Sequence, residues 1–72
     1  MKMPESIYKI IELVGSSEKG FEDAINNVVI EAGKTLRDLR IAEVVQLDVK
    51  IDNNKVVLYR ARVRLSFKYE GK

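Results

Sequence analysis

Seventy-two residues, 46% hydrophobic and 33% charged, allow one domain with a small core, and a domain of this size buries only about 60% of the surface its unfolded chain exposes. The absence of Cys and His excludes disulfide staples and the usual structural zinc ligands, leaving self-association to supplement the core. A net charge of +2 with interleaved signs does not argue for nucleic acid, and no stretch approaches the roughly 20 apolar residues of a membrane span.

In chain order, Pro4 closes a short disordered start, and Ile7 to Val14 reads as a strand rich in β-branched residues. Its imperfect alternation, with Ile10 and Ile11 on opposite faces, fits a strand covered on both sides. Gly15-Ser16-Ser17 punctuates it as a turn, with Ser17 placed to accept a hydrogen bond from the first helical turn. Glu18, Glu22 and Asp23 set negative charge at the positive end of the following helix dipole. That helix is expected to reach about Leu39, with Phe21, Ala24, Ile25, Val28, Ala32, Thr35, Leu36 and Leu39 on one stripe. Val29 and Ile30 lie off the stripe, and Gly33 is a candidate for close backbone approach.

From Ile41 to Ile51 the odd positions form an apolar face on which Glu43 is the only charge. The last strand repeats the period: Val57, Tyr59, Ala61, Val63, Leu65, Phe67 and Tyr69 face one way, and Arg60, Arg62, Arg64, Ser66 and Lys68 the other. The connecting Asp52-Asn53-Asn54-Lys55 is constrained by parity. A plain two-residue loop sets Leu47 against Arg60, whereas an odd-length loop or an equivalent bulge sets Leu47 against Ala61 and Asp48 against Arg60. The second alternative is expected. The fold class is then α+β, a β-α-β-β unit with a three-stranded antiparallel sheet in order 1-3-2 wrapped on one long helix.

The Arg60, Arg62, Arg64, Lys68 row is a solvated sheet face partly neutralised by Asp48 and Asp52. Repeated through an oligomer, it is instead a concentration of positive charge for anionic ligands, with Arg62 and Arg64 as the candidates. Nucleic acid is not expected, because Tyr59, Phe67 and Tyr69 fall on the opposite parity from the basic row. Glu43 is either half of a structural ion pair or a carboxylate beside a ligand cleft. Glu12, Asp48 and Asp52 offer oxygens to a hard cation without any sequence-local loop to hold it, so no metal is expected. With neither His nor Cys, and no Ser beside a base at recognisable spacing, an enzyme is not expected.

Several segments, in order and at matching spacing, resemble the dodecin family: ELVGSS at Glu12 to Ser17, GFEDAI at Gly20 to Ile25, AGKTLRDL at Ala32 to Leu39, AEVV at Ala42 to Val45, and the VRLSFKY ending. The resemblance covers Tyr8 to about Tyr69. It implies the β-α-β-β fold, a hollow homo-dodecamer and binding of a flavin, FMN or riboflavin, between subunits. In flavin-binding members a Trp stacks on the isoalloxazine ring and a Gln on the last strand bonds its polar edge. This chain has Ile41 and Arg60 at those positions, with Glu43 matching the family's Glu. By family position, Ile41, Glu43 and Arg60 are the candidate cofactor-binding residues, in a site weakened or altered for flavin. The expected protein is one dodecin-like domain over 1–72: cytoplasmic, non-enzymatic, storing or sequestering a small flavin-like or anionic ligand. The alternative is a structural or ion-binding shell with no organic ligand.

Overall fold

A computed structural model describes residues 7–68. The elements are β1 (Tyr8–Ser17), α1 (Phe21–Gly33), β2 (Leu39–Asp52) and β3 (Lys55–Lys68). Both strand pairs are antiparallel and the sheet order is β1-β3-β2. The expected fold class and strand order are therefore observed, while Pro4 and Tyr69 lie outside the described residues.

The β-branched run of β1 continues through Gly15-Ser16-Ser17, so these three residues finish the strand rather than form the turn. Gly15 is there because the helix comes too close for a side chain. A Cβ at this position would overlap Val28 Cγ2 and lie 2.5 Å from the Ala24 carbonyl oxygen. Gly33 has no such role, since its nearest neighbour would be Leu39 Cδ1 at 3.9 Å. Ser17 is buried; its hydroxyl accepts from the Lys19 backbone N–H at 2.8 Å and donates to Asp23 Oδ2 at 2.7 Å. It thus ties the turn to the helix from three residues before the N-cap, Gly20, instead of capping the helix directly.

The helix stops at Gly33, well short of Leu39. Its last carbonyls are closed by turn-like bonds from the N–H groups of Lys34, Thr35 and Leu36. Asp38 then takes a left-handed conformation, φ 56°, that reverses the chain into β2. The continuing apolar spacing at Leu36 and Leu39 reflects packing rather than helix, for both lie against the core without being helical.

Ala24, Val28 and Ala32 of α1 meet Ala61, Val63 and Leu65 of β3 to form the core, flanked by Ile11, Ile25, Val29, Leu36 and Leu39. Val29 thus joins the core margin, whereas Ile30 stays exposed. Phe21 stacks edge-on against Tyr59, ring centroids 5.1 Å apart. The helix is too short to cover the sheet. Thirteen helical residues span about 20 Å, against about 46 Å for each fourteen-residue strand of the hairpin. The Cα radius of gyration is accordingly 15.2 Å, where a compact chain of this length would have about 11 Å.

Three irregularities set which residues share a face. The hairpin turns through Asn53 and Asn54, both at positive φ (56° and 63°), the conformation that matches strand twist in a two-residue loop. A register shift between Lys50 and Ile51 passes over Val57, so Leu47 still meets Ala61 and Asp48 meets Arg60. The parity constraint is met by the bulge, not by a longer loop. Further shifts pass over Arg40 and Val45.

Candidate charged face around Ile41 and Arg60

The shift at Val45 changes the composition of the site. Beyond it, Ala42 and Val44 pair with Leu65 and Val63 on the helix side, while Ile41 and Glu43 pair with Ser66 and Arg64. Glu43 therefore stands on the arginine face and is not the lone charge of the apolar one. Alternation read straight through Val45 mislaid it, because a single extra residue inverts every position beyond.

Register across all three strands places Ile10, Ser66 and Ile41 in one row; Glu12, Arg64 and Glu43 in the next; then Val14, Arg62 and Gln46; then Ser16, Arg60 and Asp48. The sequence-expected residues Ile41, Glu43, Arg60, Arg62 and Arg64 thus share one surface. Ile41 is 65% exposed and Ile10 is 60% exposed, leaving an aliphatic platform on either side of Ser66.

The arginines on this face are engaged differently. Arg60 donates from Nε and Nη2 to the two oxygens of Asp48 at 2.7 and 2.9 Å, a bidentate fork. Hydrogen bonding to Arg60 holds the Asp48 carboxyl below its ordinary value of 3.8 against opposing desolvation, with the charges of Arg60 and Arg62 adding to the lowering. The same bond raises Arg60 further. Arg64 donates to Glu12 Oε1 through Nε alone at 3.2 Å, and Arg62 Nε lies 3.6 Å from Glu12 Oε2. Glu12, rather than Asp52, is the second neutralising carboxylate. The β1–β3 pairing puts it opposite Arg64, a signal present in the strand order but not in the hairpin alone. Among the described residues Glu43 has no ion-pair partner, although it faces Arg64.

On the helix side, Val44 and Leu47 of β2 are exposed, as are Ile51 and Val56 near the hairpin tip. A shallow groove of about 130 Å³ lined by Val29, Leu39, Arg40, Ile41, Ala42 and Leu65 opens at the start of β2. Among the described residues no three acidic, His or Cys side chains gather as a metal site, and no helix is long and apolar enough to cross a membrane.

The elongated β-α-β-β unit, with its short helix, leaves wide apolar strand surface uncovered. The family model for dodecin matches residues 7–70, and the chain belongs to the dodecin family, whose members are small oligomeric ligand-binding proteins. It is 39% identical over 64 residues to the dodecin of Thermus thermophilus, covering 89% of this chain and 93% of that protein. It is 33% identical over 63 residues to the calcium dodecin of Mycobacterium tuberculosis, covering 88% and 89%. Dodecin from Streptomyces coelicolor superposes with a TM-score of 0.91 at 33% identity, covering 97% of this chain and all of that one. The structure of the M. tuberculosis protein, described as calcium-chelating with a novel calcium-binding site, superposes at 0.81 with 31% identity, covering 93% and 96%.

Proposed function

We propose that this chain, as one dodecin-type domain over residues 1–72, forms a homo-dodecamer that binds and stores a small ligand at subunit contacts without catalysis. The lack of Cys supports a reducing cytoplasmic location. One observation carries the ligand reading: Ile41, exposed and aliphatic, shares its sheet face with the arginine ladder, in which Arg60 is already held by Asp48.

The residues present do not fit flavin held in the family's usual way. Ile41 covers a ring but offers no π-face, and Arg60 presents a committed cation where the family has a neutral amide. Losing a stacking partner costs about 1 kcal/mol per aromatic pair. With two subunits contributing, the deficit is about 2 kcal/mol, roughly a 30-fold weaker Kd. FMN or riboflavin is therefore a weak ligand here, and the charged neighbours favour anionic ones. Light scattering with flavin fluorescence quenching tests this reading: an assembled oligomer with weak quenching supports it. A monomer, or quenching as tight as that of an Ile41→Trp/Arg60→Gln variant, overturns it.

A further inference from the structure

We infer that Arg62 and Arg64 form a two-guanidinium seat for a phosphoryl dianion on a small molecule, with Glu12 as its positioning residue and Glu43 as a competing carboxylate. The inference deepens the proposed small-ligand reading and rests on it for its biological sense; its two guanidinium groups are distinct from Arg60, and the Ile41 row only adjoins them.

The arginines of this face differ in which donors are already used. A guanidinium has five N–H donors in a planar fork. Arg60 spends both its Nε and an Nη on Asp48, so its carboxylate-binding edge is closed. Arg64 spends only Nε on Glu12, and Arg62 approaches the other Glu12 oxygen only as an ion pair through Nε. One carboxylate thus steers two guanidinium groups by their inner nitrogens. Their Nη groups, four N–H donors on each, have no hydrogen-bond partner among the described residues. Phosphoryl oxygens match that kind of open, paired edge.

Position and charge agree with this. Residues two apart on a strand face the same way about 7 Å apart, near enough for flexible side chains to close on one phosphate or diphosphate group. Glu12, Arg62 and Arg64 together carry a net positive charge. Arg60 and Asp48 cancel each other one row away. The opposing group is Glu43, across from Arg64 and without an ion pair among the described residues. It competes for the same donors and lowers affinity. The next row, Ile10-Ser66-Ile41, supplies an exposed aliphatic platform for the organic part of a phosphorylated ligand.

Calorimetric titration of the assembled protein with inorganic pyrophosphate tests the inference without involving flavin. Saturable binding that weakens with added salt is expected. Arg62→Gln and Arg64→Gln should each weaken it at least tenfold, and Glu43→Gln should tighten it several-fold. Arg62→Lys and Arg64→Lys keep the charge balance of the ladder but lose the fork, and should still weaken binding. Light scattering of each variant checks that the oligomer is retained. Absence of pyrophosphate binding by the intact oligomer overturns the seat. So does an equal loss in Lys55→Gln, which removes a cation at the hairpin tip. Tighter binding of a single-stranded oligonucleotide than of pyrophosphate would reassign the surface to nucleic acid and also overturn it. A protein that binds pyrophosphate in this pattern but fails the oligomer or flavin experiment would retain the seat and lose the proposed function.

Discussion

Replacing Gly15 with Ala should destabilise the protein far more than one added methyl suggests. The new Cβ would lie 2.5 Å from the Ala24 carbonyl oxygen and overlap Val28 Cγ2. Val28 could change rotamer, but the carbonyl belongs to the helix ladder, so relief requires α1 to lift from β1. Overpacking of a tight core costs about 1–3 kcal/mol, and a backbone obstacle places this case near 3 kcal/mol. With a urea m-value of about 1 kcal/mol/M for so small a domain, the midpoint should fall by 2–3 M at fixed protein concentration. Gly33→Ala is the matched control. Its methyl meets only Leu39 Cδ1 at 3.9 Å at the last helical position, and better helix propensity should raise stability by about 0.5 kcal/mol. Equal midpoints for Gly15→Ala and the parent, or a fall in Gly33→Ala matching that in Gly15→Ala, would refute the helix-on-glycine contact.

Other consequences are as direct. Ser17→Ala leaves Asp23 and the Lys19 N–H without their buried hydroxyl, and should cost about 1 kcal/mol in a denaturant titration; an unchanged midpoint would show the bridge to be idle. Asp48 has a folded-state pKa below its ordinary 3.8, so its contribution is fully present above that value and is lost as pH falls through the lowered one. The stability gap between the parent and Asp48→Asn should therefore hold steady at neutral pH and close in acid; a gap that widens in acid would reverse the sign of this linkage. Leu47→Glu puts a charge on the uncovered helix-side face of β2, and should lower the assembled mass by light scattering; an unaltered mass would place the subunit contact elsewhere.

Much of this architecture was legible in the residues, and the exceptions have local causes. Period-two alternation in β3 is uninterrupted from Tyr59 to Phe67, and its odd positions Ala61, Val63 and Leu65 are the buried ones. Parity also required a bulge or an odd loop at the hairpin, and a bulge is present. The end of α1 was hidden because Leu36 and Leu39 keep helical spacing while packing from a turn and a strand. The site was harder to read. Ile41, Glu43 and the arginines could be named individually, but their common face depends on the bulge at Val45, which no Gly or Pro marks. Glu12 emerges only when β1 is laid against β3, fifty-two residues away in sequence from its partner Arg64.

The proposed function rests on Ile41 and Arg60 standing at the positions of the family's flavin contacts. Fluorescence titration of riboflavin against the assembled parent and the Ile41→Trp/Arg60→Gln variant tests it most directly. Restoring the aromatic face and the neutral amide should tighten binding by roughly 30-fold, from about 2 kcal/mol of recovered stacking. Equal affinities in the two proteins, with both oligomers intact, would contradict it.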